Sequence, residues 1–388
     1  MKFTELALTQ GTWGRVPLSF EEQKKVITTY SRWADKNKIS VRMECYSEHD
    51  DDRRALGSIL EKESLVAVVR CEPRSDKLKT IAEMGIKHVV FDVPVSTETG
   101  LFRFLPDGVK RSPGYAAEIV RNACLLNLIP EIALVDITRA KPQDVLDVID
   151  AVMDEARPRG IEPRWRLVDD MGLGNPLPRA LPPRSMAGWI RFLNRKSGIQ
   201  VKNISVQCSD QLGLGLANTL SGEKEGAEVV TSLLGLGSRS GWAATEVALF
   251  HLVDKELFNL KPLIKLKNVL DPDSERRDAN RPVSGNRAWE FPAGTAPEEI
   301  SKVKRAALVG FETEKITGIE PLPMLTSLSG HAGMLHLMHR FHPEQHFESD
   351  SPETMAVSAE FEDAFDAGRQ QPVCWQELEP KLKKKKIL

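Results

Sequence analysis

The chain lacks most of the features that assign a protein at a glance. Its five cysteines (Cys45, Cys71, Cys124, Cys208 and Cys374) are odd in number and carry no metal-type spacing. That argues against a zinc ribbon or a disulfide framework, and they read as reduced thiols, several of them within apolar strands. No apolar run approaches the ~20 residues of a membrane span, and the N-terminus has no signal-peptide core. A cytoplasmic location without a membrane partner is therefore expected. The formal net charge of -2 gives no reason to expect nucleic acid as a partner. The one strongly basic run, Lys381 to Lys386, reads as a solvated terminus.

What is present is a rhythm. Hydrophobic residues make up 41% and charged residues 28% of the 388, ordinary for a globular chain with a large core. Short apolar runs alternate with longer amphipathic stretches. The predicted strands are 4–9, 39–45, 65–71, 88–93, 131–136, 164–169, 204–208 and 229–234. Most are continuously Val/Ile/Leu-rich, as parallel strands covered on both faces are. Predicted helices lie at 19–37, 50–62, 75–84, 113–127, 142–156, 183–195, 212–225 and 242–252. Ser19 with Glu22 three residues on reads as a capping box, and Pro142 as a first-turn proline. Eight strands alternating with eight helices is the count of a (β/α)₈ barrel, a TIM barrel of the α/β class, with an open doubly wound sheet as its rival. The expected division is a barrel over 1–258, a polar turn-rich linker over 259–295 and a small helical C-terminal region over 296–388. Within that region 297–310 and 324–339 look helical.

A barrel presents its active site at the C-terminal ends of its strands. The last polar residues there are Thr9/Gln10, Glu44, Arg70, Asp92, Asp136, Asp169, Gln207/Ser209 and, after the eighth strand, Arg239. Arginines facing carboxylates suit a small carboxylate substrate, although strand ends are also simply where chains turn polar.

Two stretches carry a resemblance: Ile204-Ser-Val-Gln-Cys-Ser-Asp-Gln-Leu-Gly-Leu-Gly-Leu-Ala-Asn218 and Leu233-Leu-Gly-Leu-Gly-Ser-Arg-Ser-Gly-Trp-Ala-Ala-Thr-Glu246. With Val-Asp-Ile-Thr-Arg139 and Val-Asp-Asp-Met-Gly-Leu-Gly-Asn-Pro176, they resemble the pyruvate carboxyltransferase-like barrels. That family includes isopropylmalate, homocitrate and citramalate synthases and hydroxymethylglutaryl-CoA lyase, and the likeness covers roughly residues 3–255. It implies that Glu44, Arg70 and Arg239 bind substrate and that Asp136, Asp169 and Arg139 lie at the reacting centre. Ser329-Gly-His-Ala-Gly-Met-Leu-His336 loosely resembles the segment after the barrel that lends a histidine, which makes His331 a candidate general base. The resemblance also implies a divalent metal, but the residues at its positions differ. The Leu-Arg-Asp-Gly strand end is Leu8-Thr9-Gln10-Gly11, the His-x-His pair is Gln207 and Ser209, and Gly-Asn is Gly241-Trp242. Neutral Gln and Ser are weak ligands and an indole offers only N–H. Gln10, Gln207 and Ser209 are therefore expected at the substrate rather than at a metal, with Glu44, Asp136, Asp169 and Asp210 as the alternative ligand set.

The expectation is thus a divergent synthase or lyase acting on a C–C bond beside a carboxylate. It has no resident cofactor, and an acyl-CoA is the co-substrate the resemblance implies. A non-catalytic barrel serving as sensor or scaffold is the alternative. A homodimer is expected because the apolar residues of 324–342 need a surface to cover them.

Overall fold

The computed structural model describes residues 2–9, 18–72, 74–253, 259–272, 281–285, 287–291, 313–319, 322–348 and 351–388. Eight parallel strands close into a barrel in sequence order: β1 (Lys2–Leu8), β2 (Ser40–Cys45), β3 (Leu65–Arg70), β4 (His88–Pro94), β5 (Ile129–Val135), β6 (Arg164–Asp169), β7 (Ile204–Cys208) and β8 (Glu228–Thr231). β8 pairs back onto β1, with Phe3 opposite Val229, and this closure excludes the open doubly wound sheet.

The helices between strands form where the sequence carries start signals. α1 (Phe20–Asn37) begins at the capping box, in which Ser19 Oγ accepts from the Glu22 backbone N–H and the Glu22 carboxylate accepts from that of Ser19. α2 (Asp50–Leu60) and α3 (Ser75–Glu83) follow β2 and β3. Two helices instead of one follow β4, α4 (Thr97–Arg103) and α5 (Ser112–Leu125), and α4 has no counterpart in the sequence reading. α6 (Pro142–Ala156) starts on its proline. α7 (Met186–Ser197) starts three residues later than expected, where Ser185 Oγ caps the N–H of Gly188 at 2.9 Å. α8 (Gly215–Lys224) and α9 (Thr245–Leu252) also start three residues late. The delay comes from the preceding turns, which hold Asp210 and Trp242 in extended or looped backbone.

Successive strand residues point alternately into the barrel and out towards the helices. Leu6, Val68, Val90, Ala133, Val168 and Val230 form one buried cluster, which fixes that parity as the inward one. On the same parity lie Thr4, Arg42, Glu44, Arg70, Asp92, Glu131, Arg164, Arg166, Ser205, Gln207 and Glu228. The interior of this barrel is therefore heavily charged.

The chain divides into two compact units, residues 1–258 with 262–272, and residues 259–261 with 273–388. Of the stretch expected as a linker, 262–272 clusters with the barrel and 259–261 with the second unit. In the second unit the helices Gly330–Phe341, Pro352–Asp366 and Trp375–Lys384 share a core. Leu325, Met334, Leu337 and Met338 pack there with Val357, Phe361, Trp375 and Leu378. Part of the apolar set that suggested a dimer (Leu325, Leu335, Leu337 and Met338) thus finds cover within its own unit, whereas Leu328 stays 81% exposed. The expected helix 297–310 lies outside the described residues. Among the described residues no helix is long and apolar enough to cross a membrane.

Candidate active site

A continuous run of ion pairs climbs the inside of the barrel. At its base Glu228 accepts from Thr4 and Arg164, both at 2.7 Å. Arg42 Nη2 donates to Glu131 at 2.5 Å, and Arg166 Nε donates to the other oxygen of Glu131 at 2.7 Å. Arg166 Nη1 then reaches Glu44 at 2.6 Å and Gln207 Oε1 at 3.2 Å. Glu44 accepts in turn from Arg70 Nε at 2.7 Å and from Thr9 Oγ1 at 3.1 Å. Arg70 ends the run on Asp92 at the tip of β4. The guanidiniums of Arg42, Arg164, Arg166 and Arg70 thus balance the carboxylates of Glu228, Glu131, Glu44 and Asp92.

Burial of such charges is costly unless each is paired. Burial alone would raise the pKa of Glu131, but Arg166, Arg42 and Arg164 outweigh it and hold the carboxyl far below the usual range. Burial would likewise raise Glu44, and Arg166 and Arg70 bring it below its ordinary value. Burial opposes the charge of Arg70 too, yet Asp92 and Glu44 more than offset it, so the group stays protonated. Sequence reasoning missed Arg42, Glu131, Arg164, Arg166 and Glu228. The signal was the period of two in Arg42-x-Glu44 and Arg164-x-Arg166, which puts these charges on the same face as the strand-end groups.

The structure brings Glu44, Arg70 and Gln207 into this one network. The other candidates sit elsewhere on the rim. Asp136, fully buried with φ 65°, is held by Arg139 through Nη2 at 2.6 Å and by Ser96. Asp169 points outward and accepts from Thr138 Oγ1 at 2.8 Å and from the N–H groups of Leu173 at 2.9 Å and Gly174 at 2.7 Å. Burial raises its pKa despite these donors. They give Asp169 a turn-forming task in the β6–α7 loop. Arg239, 40% exposed at its side chain, pairs with Asp170 at 3.0 Å. Gln10 lies outside the described residues, and His331 belongs to the helix Gly330–Phe341 of the second unit.

The metal positions implied by the resemblance can be tested on the donor set. Ser209 and Trp242 face each other as an antiparallel bridge, and Ala243 N–H bonds Cys208 O at 3.0 Å, so 241–244 folds back over the rim. This carries the Trp242 indole into the inward cluster with Leu6, Val68, Val90, Ala133, Val168 and Val230. Gly237 permits it: a Cβ there would lie 2.7 Å from the indole Cδ1. Gln207, the other replaced histidine, already accepts from the buried Arg166 guanidinium, whose charge would repel a cation beside it. With Ser209, an indole and a guanidinium at these positions, the described residues do not fit a divalent ion.

To one side of the axis a cavity of about 540 Å³ opens over the ends of β2, β3 and β4. Arg70, Asp92, Cys71, Lys77, Arg103 and Tyr115 are among its lining residues. Arg70 and Asp92, the latter 33% exposed at its side chain, are the part of the charge run that meets this space. Cys71 is no nucleophile at neutral pH, because burial pushes its thiol up to about 12.

A closed barrel with a charged C-terminal rim defines a fold class shared by many chemistries, so the lineage has to come from the sequence. The chain belongs to the HMGL-like family, whose model matches residues 13–272. It is similar to the 2-phosphinomethylmalate synthase of Streptomyces hygroscopicus, with 26% identity over 98% of this chain and 89% of that one. It is also similar to the citrate (Re)-synthase of Clostridium kluyveri, with 22% identity over 97% of this chain and 85% of that one. An HMG-CoA lyase from Acinetobacter baumannii, solved with coenzyme A and 3-methylmalate, shares the fold. Its TM-score is 0.56 at 16% identity, covering 70% of this chain and 91% of that chain.

Proposed function

We propose that this chain is an enzyme of the synthase/lyase type that forms or breaks a C–C bond beside a carboxylate, using a 2-oxo acid and an acyl-CoA. The observation that carries the reading is the junction of Arg70 and Asp92 at the mouth of the β2–β4 cavity. There a guanidinium fixed by Glu44 and a carboxylate open to the cavity stand side by side. Relatives whose names are those of synthases of a malate and of citrate, aligned over nearly the whole chain, support the substrate class. Formation of the bond needs a base for the proton on the carbon next to the thioester and a donor for the oxyanion that develops on the oxo acid. Asp92 suits the first task and Arg70 the second. Asp136, Asp169, Arg139 and His331 remain proposed participants, the first three with their polar atoms engaged at the rim. No step is routed through a metal.

The condensation leaves a hydroxyacyl-CoA, and water must then cleave its thioester to free the thiol. Thiol release from acetyl-CoA, followed with pyruvate, 2-oxoglutarate and related acids, therefore tests the reading in the synthase direction. Turnover that falls at least about 100-fold in Asp92→Asn is expected. No release with any pairing, together with no thermal shift by any oxo acid or acyl-CoA, removes it.

A non-catalytic sensor or scaffold is the second reading. It is favoured by the pairing of Arg70, Arg139 and Arg239, the arginines that the sequence places at the strand ends, with carboxylates of the same chain. Homodimer assembly is also proposed. It is supported by apolar side chains exposed on the connections after β4, β6 and β7, among them Phe102 of α4 at 92%, Leu105 at 75% and Leu181 at 73%.

A further inference from the structure

The charges around the β2–β4 cavity do not cancel. Lys77 pairs with Glu48, Arg74 lies 3.3 Å from Glu72, and Arg70 pairs with Asp92. Arg103 also lines the cavity, and its contact is the neutral Tyr115 hydroxyl at 3.1 Å, with the ring 5.6 Å away. No carboxylate lies within ion-pair distance of it among the described residues. A second donor is also unspent. Arg70 is 5% exposed, gives Nε to Glu44 and Nη1 to Asp92, and has no hydrogen-bond partner for its buried Nη2. A buried N–H of this kind asks for an acceptor.

The two vacancies differ in kind. While Asp92 is ionised Arg70 already faces two carboxylates, Glu44 and Asp92, so a ligand's full carboxylate against Nη2 would meet net repulsion, whereas a neutral carbonyl or hydroxyl oxygen would not. The proton that Asp92 takes up in the reaction removes one of those charges as the oxyanion develops. Arg103 carries an uncompensated positive charge, so it attracts a carboxylate. We propose that this cavity is a binding site for oxo or hydroxy monocarboxylates. The neutral oxygen sits on Arg70 Nη2 and the carboxylate on Arg103, off the barrel axis that Trp242 fills. The inference builds on the proposed function by naming the substrate class and pose at that site. A second carboxylate on the ligand would lack a cation, so dicarboxylates bind less well. The volume of about 540 Å³ suits a small acid.

Isothermal titration of the full chain with pyruvate, 2-oxobutyrate, lactate, propionate, butyrate and 2-oxoglutarate tests it. Pyruvate and lactate are expected to bind at least about 10-fold more tightly than propionate, and Arg103→Gln to weaken them roughly 10- to 100-fold, the loss of one charge-assisted contact. Arg103 is exposed at the end of α4, so the variant folds, and an unchanged melting temperature verifies this. Propionate binding as tightly as pyruvate, Arg103→Gln binding like the parent, or no binding of any monocarboxylate at 10 mM each overturns the site; that concentration is about 10 times a weak 1 mM dissociation constant. Acyl-CoA-dependent thiol release that is indifferent to Arg103 would remove this pocket and leave the proposed chemistry standing. Arg103-dependent binding without thiol release would keep the pocket and remove the chemistry.

Discussion

Arg166 donates to Gln207 across the barrel interior, Nη1 to Oε1 at 3.2 Å, and so a protein cation stands beside the position where the resemblance implies a metal-binding histidine. The same guanidinium bridges Glu44 and Glu131, both fully or almost fully buried.

Removing that bridge should be severe. Arg166→Met leaves Glu44 and Glu131 short of a partner, and Glu131→Gln leaves Arg166 and Arg42 in excess. Each is expected to lose about 3–5 kcal/mol of stability, the usual cost of breaking a buried pair from one side. Urea midpoints at unchanged slope measure it, and a loss under about 1 kcal/mol in either variant contradicts the network.

A metal-free centre is expected as well. Elemental analysis of the purified chain should find no stoichiometric Zn²⁺, Mn²⁺ or Mg²⁺, and chelation should leave the melting temperature unmoved. About one ion per chain, lost on Asp136→Asn or Asp169→Asn, would restore the alternative ligand set.

Glu5 should make stability fall as pH rises through neutrality. Its carboxylate is buried on the outer side of β1, taking donors from Tyr30, Thr245, Leu233 and Ala7. Burial outweighs those donors and raises its pKa from 4.5 to about 7. The native state therefore holds this proton more tightly than the unfolded chain. The contribution is complete below about pH 4.5 and is lost as pH rises through about 7, amounting to up to about 3 kcal/mol. Glu5→Gln should flatten the stability profile between those limits. An unaltered slope in the variant rules the account out.

The Trp242 plug gives a fourth expectation. Gly237→Ala places a methyl 2.7 Å from the indole and forces it to move. An overpacking loss of about 1–3 kcal/mol should follow, and Trp242→Ala should lose about 3–5 kcal/mol through the void it leaves. If denaturation shows both variants as stable as the parent, the indole does not fill the axis.

Assembly is read by sedimentation at micromolar concentration. A dimer that dissociates on Phe102→Asp is expected from the exposed rim, whereas a monomer for the parent chain removes the proposal.

The barrel was legible in the sequence because its strands are apolar runs bounded by turns, and because the family motifs fall in order. Glu44, Arg70 and Gln207 were legible as strand ends. The charges beneath them were not, since Arg42 and Glu131 sit inside apolar strands where hydrophobic patterning looks for no partner. The role of Arg103 was hidden for a different reason. α4 is an extra helix in a β–α connection, and nothing local marks which face of it reaches a cavity. The delayed starts of α7, α8 and α9 reflect capping and turn hydrogen bonds, such as Asp210 Oδ1 to the Gly215 N–H at 2.9 Å.

The charge run has a consequence for how the barrel is assembled at all. Hydrophobic alternation forbids a strand to slip by one residue, because every side chain would change faces. It tolerates a slip by two, which keeps the parity. In this barrel a two-residue shift of β6 against β5 would set either Val168 in the place of Arg166 or Glu162 in the place of Arg164, where it would face the like charge of Glu131. Opposite charges at fixed heights therefore act as the teeth of a key, and they single out one stagger of the strands among several that greasy contacts alone would accept.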